Sequence, residues 1–280
     1  MDKVKEPTTY TQQVEKLKSR GCIISDESKS IDFLSSVGYY RLSAYFLPFK
    51  KADDAYMPGT TLERIYHIYE FDSRLRRILF SAIESIEINL RSIISYHYSL
   101  KYGPLGYYDK QNFNHNHNPK RFKENVEREI KSNRNQPFVK HHIEKYNCKF
   151  PLWAVMELFT FGMLSYFYSD MKTEDQKALF GKKYKKVRSW LHCCTDLRNM
   201  CAHYNRLYYR KFTSIPAGID VEDNRSLWAQ MLVVKEQYPS NKNWNTDILP
   251  ALRKLFDDYH DSIDLKHISF PENWYELLKN

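Results

Sequence analysis

Thr60-Thr61-Leu62-Glu63-Arg64-Ile65-Tyr66-His67-Ile68-Tyr69 opens the stretch that decides the fold, which continues through Leu75, Ile78, Leu79, Ile83, Ile86, Leu90, Ile93 and Ile94 to about Leu100. The apolar residues recur three and four apart, the spacing of one helix face. Thr60 with Glu63 reads as a capping box at its start. Unbroken, such a helix is ~60 Å long at ~1.5 Å per residue, a spine for other helices, with a bend expected near 71–73. Its opposite, polar face carries Arg74, Arg76, Arg77, Glu84 and Glu87.

Working outward, the rest of the chain also reads as helical. Only 8 of 280 residues are glycine, against 22 tyrosines and 16 phenylalanines. Few glycines and few short turn-bounded runs argue against a sandwich, a barrel or a Rossmann-type fold. The class expected is all-α, with residues 1–59 an N-terminal helical region, 60–215 the core and 216–280 a C-terminal helical region.

On the N-terminal side, Thr8 or Thr9 caps a first helix that Gly21 stops, and a second runs from about Asp26 to Val37. The run Gly38-Tyr39-Tyr40-Arg41-Leu42-Ser43-Ala44-Tyr45-Phe46-Leu47-Pro48-Phe49 reads first as a buried packing helix ended by Pro48, and second as an aromatic and arginine surface for RNA bases. On the C-terminal side, the Asn-His loop 112–119 is expected to be exposed, so His115 and His117 are not metal ligands. Helices follow over about 120–132 and 137–146, with His141 and His142 on the surface. A mainly apolar helix starts at Pro151 and reaches about Tyr168. Helices are also expected at about 226–238, 246–260 (capped by Thr246 or Asp247) and from Pro271.

The net charge of +9 makes a polyanion a reasonable partner. Lys182, Lys183, Lys185, Lys186 and Arg188 put five cations in seven residues, either a solvated face or a guide for a phosphodiester backbone. The five cysteines, with no CxxC pair, suit free thiols in a reducing cytosol. No signal peptide and no apolar run of ~18 residues is present, so a cytoplasmic protein is expected.

The chemistry lies in Asp196-Leu197-Arg198-Asn199-Met200-Cys201-Ala202-His203-Tyr204-Asn205-Arg206-Leu207, expected on a helix that begins near Lys186 and runs past His203. Arginine neutralises a phosphate and histidine moves protons near neutral pH, which are the two needs of metal-free RNA cleavage. Asp196, Asn199, His203 and Arg206 fall on one helical stripe, but Arg198 lies about 140° around from His203. One ideal helix does not aim both at one phosphate. Either it distorts, or two copies face each other in a homodimer. A similar Arg-to-His spacing at Arg91 and His97 is discounted, because Glu87 precedes Arg91 at ion-pair spacing.

These motifs in this order resemble a known family. The stretch from Leu197 to Leu207 is similar to the RNxxxH signature of HEPN-domain ribonucleases, in the form found in the abortive-infection Abi-like family (AbiD/AbiF type). Residues 38–45 resemble its N-terminal aromatic motif, and Phe71–Leu79 with Glu84, Glu87, Arg91 and His97 resemble its long central helix. The resemblance implies a HEPN-like helical bundle and a metal-independent endoribonuclease without cofactor, acting in phage defence. Arg198 and His203 become the catalytic pair and Asn199 the supporting residue. Some members are encoded beside a structured noncoding RNA, so RNA is expected both as substrate and as a candidate antitoxin. Lys182, Lys183, Lys185, Lys186, Arg188, Arg206, Tyr40 and Arg41 are the candidate RNA contacts. The competing reading is a non-catalytic RNA-binding or dimerisation module.

Overall fold

A computed structural model describes residues 4 and 6–279. All the regular elements among them are helical. The elements are α1 (Tyr10–Ser19), α2 (Glu27–Val37), α3 (Tyr39–Phe46), α4 (Leu62–Tyr102), α5 (Pro119–Ser132), α6 (Pro137–Tyr146), α7 (Leu152–Val155), α8 (Phe161–Asp170), α9 (Thr173–Phe180), α10 (Tyr184–Ala202), α11 (Leu227–Gln237), α12 (Asn241–Asn243), α13 (Leu249–Asp258) and α14 (Trp274–Lys279).

Helix α4 is the expected spine, 41 residues long and uninterrupted through 71–73. It packs against α3, α7, α8, α9, α10, α11 and α13. One continuous buried cluster runs from Val14 to Leu278 and joins all three expected regions. Thr61 rather than Thr60 caps α4, accepting from the Arg64 amide at 3.1 Å. The Thr60 hydroxyl instead donates to the Met57 carbonyl, and the Glu63 carboxylate accepts from Ser25. Thr9, Asp26, Asn118, Thr160 and Ser226 cap their helices through the side chain, each satisfying an amide that a helix start leaves without a partner.

The structure departs from the sequence reading at five further places. The apolar helix expected over 151–168 is broken into α7, a short 3₁₀ turn and α8. Arg91 explains how the break is tolerated: its guanidinium donates at 2.6 Å to the freed carbonyls of both Glu157 and Phe159 while pairing with Glu87. The helix expected over 246–260 is capped by Ser240, not Thr246 or Asp247, and passes through a π-helical turn, Trp244–Ile248, before α13. His117 is not an exposed loop residue. Its ring stacks on Phe113 and its Nδ1 lies 2.9 Å from Asp170. Arg76, expected on the polar face of α4, is buried. Finally, α10 stops at Ala202, so His203 ends the helix and Arg206 is not on its stripe.

The five cysteines are free thiols, four buried and Cys148 exposed. Burial pushes Cys22 and Cys201 up to about 12 and Cys193 up to about 11, which makes these thiols unreactive. No helix among the described residues is long and apolar enough to cross a membrane.

Candidate active site

The motif helix α10 is buried along Val187, Trp190, Leu191, Cys193, Cys194, Leu197 and Cys201, against α4, α8 and α11. Its C-terminus closes in a Schellman turn. The Asn205 amide donates to Met200 and the Tyr204 amide to Cys201, with His203 as the cap residue. Tyr204 occupies the left-handed position at φ 57°, where glycine is usual. A tyrosine there stores about 1 kcal/mol of strain. Arg41 secures the turn by donating to the Tyr204 carbonyl at 2.8 Å, with its guanidinium 5.9 Å from the Tyr204 ring centre. Arg206 ties the next residues to the same helix, donating to the Ala44 carbonyl of α3.

Beneath the turn lies a buried polar knot. The Asp72 carboxylate pairs with Arg76 one turn along α4 and accepts from the Tyr45 hydroxyl at 2.7 Å. It also accepts from the backbone amides of Leu207 and Tyr208, at 3.1 and 2.9 Å. Arg76 donates in turn to the Asn205 carbonyl at 3.3 Å. Burial pushes Asp72 upward, while Arg76 and the other donors work to keep it ionised. From the far side, His267 sits between two tyrosine hydroxyls, Tyr208 at Nδ1 and Tyr209 at Nε2, both 2.9 Å away. Three distant segments therefore fix the backbone that follows the motif.

His203 is exposed on this rigid turn and lines a cleft of about 210 Å³ with Asp196, Asn199, Met200, Asn205, Arg210, Phe212 and Thr213. Arg198 does not share it. Its guanidinium lies 5.7 Å from the Phe80 ring centre, in a separate cleft of about 270 Å³ bordered by Glu84, Glu87 and Glu157. Its one hydrogen bond among the described residues is a long one, 3.5 Å to Asn199, and its Nε is buried without a partner. Within one chain, then, His203, Asn199 and Asp196 share one cleft, and Arg198 lines another while reaching Asn199 at its edge.

The expected RNA contacts scatter. Lys182, Lys183, Lys185, Lys186 and Arg188 are all exposed, but at the N-terminal end of α10, roughly 20–30 Å along the helix from His203. Lys183 pairs with Glu236 at 2.6 Å. Tyr40 is 92% exposed, directly before the Arg41 that holds the motif turn. Arg206 is half-buried, and burial lowers its guanidinium from the ordinary value.

The Abi-like protein family model matches residues 32–209, from α2 through the end of the motif turn. The chain belongs to the Abi-like family. No curated protein and no solved structure matches this Abi-like chain. The matched segment contains α3, α4 and α10, and with them every residue of the Asp72 knot. In this Abi-like protein, Asp72 and Arg76 are the residues sequence reasoning missed as supports of the site. Their spacing from Ile65, Ile68, Leu75 and Leu79 places both on the buried stripe, which signals burial but not the loop they hold.

Proposed function

We propose that the protein is a metal-independent endoribonuclease of the HEPN type, acting in the cytoplasm as a homodimer in abortive-infection defence against phage. Membership of the Abi-like family supports the biological role. The observation that carries the chemistry is the presentation of His203: an exposed histidine at a helix end, on a turn that Asp72, Arg76 and Arg41 hold in place. A proton-transfer group gains from such rigidity, because its catalytic contribution depends on geometry.

In the reaction, a base removes the proton from an RNA 2′-hydroxyl, and the 2′ oxygen attacks the adjacent phosphorus. The bond from phosphorus to the 5′ oxygen breaks, and an acid protonates that leaving oxygen. The products are a 2′,3′-cyclic phosphate and a 5′-hydroxyl. Two His203 side chains from two protomers fill the base and acid roles, while Arg198 from each neutralises the pentavalent phosphate. The separation of Arg198 from His203 within one chain supports a site shared between protomers. RNA is the partner, as substrate and in the form of a structured noncoding RNA that restrains the enzyme.

One observation favours the alternative, a non-catalytic RNA-binding or dimerisation module: Arg198 packs over Phe80 beside three glutamates, as a structural residue would. Inducing wild type and His203→Ala in a bacterial host and sequencing RNA 5′ ends separates the two. New cut sites and growth arrest for wild type alone support the nuclease. Identical profiles from the two proteins support the module.

A further inference from the structure

The His203 cleft contains a cation that belongs to no motif discussed so far. Arg210 lies one residue beyond the segment matched by the family model and lines the cleft together with His203, Asn199, Asn205, Asp196 and Thr213. It follows Tyr209, which is left-handed at φ 59°, and its own amide donates to the Leu207 carbonyl at 3.0 Å to close a turn. That turn is fixed on both sides, by the Asp72 carboxylate on the Tyr208 amide and by His267 on the Tyr209 hydroxyl. The Arg210 guanidinium is exposed and has no hydrogen bond or ion pair among the described residues. Neighbouring arginines differ. Arg206 is bonded to Ala44 and Arg76 to Asp72, while Arg198 belongs to the glutamate-lined cleft.

The remaining groups of the cleft fit a nucleotide. Asn199, Asn205 and Thr213 offer neutral donors and acceptors, as a ribose or a base edge requires. Arg210 is its one arginine or lysine. An exposed guanidinium on a rigid backbone, with its planar donors free, is suited to two oxygens of one phosphate.

We propose that Arg210 binds a backbone phosphate of the RNA beside His203, in the same protomer, and so sets the register of the strand in the cleft. The assignment rests on the nuclease reading for its substrate, but it is tested by binding alone. The probe is a fluorescein-labelled, fully 2′-O-methylated RNA oligonucleotide, which cannot be cut by its own 2′-hydroxyl, titrated by anisotropy at several salt concentrations. Arg210→Ala is expected to weaken binding roughly tenfold at moderate salt and to lower the slope of log affinity against log salt by about 0.7, the loss of one phosphate contact on a single strand. Arg210→Lys keeps the charge and is expected to restore the slope. Its melting temperature should match that of Arg210→Ala and wild type, since the side chain holds nothing in the fold.

Unchanged affinity and slope for Arg210→Ala overturn the assignment, as does a Lys variant that restores nothing. Cleavage of unmodified RNA by wild type is measured in parallel. A reduced slope without any wild-type cleavage retains the phosphate contact and rejects the nuclease. Cleavage with an unchanged slope does the reverse. No binding by wild type rejects both.

Discussion

Oδ1 of Asp72, on the central helix, lies 2.9 Å from the backbone nitrogen of Tyr208, five residues beyond the motif histidine. The same carboxylate is paired with Arg76 and has no exposure to solvent. It acts as a buried cap for a loop rather than for a helix. Removing one partner of a buried pair leaves the other charge uncompensated, at a cost of about 3–5 kcal/mol. Asp72→Ala is therefore expected to lower the melting temperature by roughly 10 °C. Hydrogen exchange should also accelerate first at Leu207 and Tyr208. A melting temperature within a degree or two of wild type would remove the knot from the account.

The left-handed Tyr204 gives a second test. Its ring contacts Arg41, so substitution to glycine both relieves strain and removes a contact. In an Arg41→Ala background the contact is already gone. There, Tyr204→Gly is expected to raise stability by roughly 0.5–1 kcal/mol, read by urea denaturation. A decrease would mean that the tyrosine is held by packing and not by the arginine.

His267 supplies a pH dependence. Burial lowers its ring from the ordinary value, with Arg64 adding to the effect and Asp264 opposing it. The folded protein then favours the neutral ring, and the unfolded chain takes up the proton first as pH falls through about 6.5. The stability linked to this group is present above that pH and is lost as pH falls toward the folded-state value. His267→Gln should flatten the difference in melting temperature between about pH 7.5 and pH 5. An identical pH profile for wild type and variant would show that His267 does not titrate with folding.

The shared site predicts a dominant variant. Because one site uses the His203 of both protomers, refolding wild type with an excess of His203→Ala is expected to remove nearly all cleavage, the mixed dimer lacking either the base or the acid. A mixture that keeps the full activity of its wild-type chains would place the chemistry within one protomer.

Much of the fold is written in local sequence patterns. The spine from residue 62, the Glu87–Arg91 pair and the cap at Thr9 follow from spacing and residue type, which are local properties. The supports of the site were not legible, because they are long-range. Arg76 reads as part of the polar face of the helix, and only the amides of Leu207 and Tyr208, more than 130 residues away from Asp72, explain why the Asp72–Arg76 pair is buried. The end of α10 at Ala202 was hidden for a related reason. No glycine marks the left-handed position, and the side chain that stabilises Tyr204 in its place comes from Arg41. The broken helix at 156–160 likewise depends on Arg91 reaching two carbonyls across the core.

The most direct test of the central claim uses purified, RNA-stripped protein with single-stranded RNA in the presence of EDTA, comparing wild type with His203→Ala. Wild type is expected to cleave to 2′,3′-cyclic phosphate ends, and His203→Ala to react more slowly by roughly 10²–10⁴-fold with RNA affinity largely retained. Equal rates for the two proteins, or products ending in a 3′-hydroxyl, would contradict it.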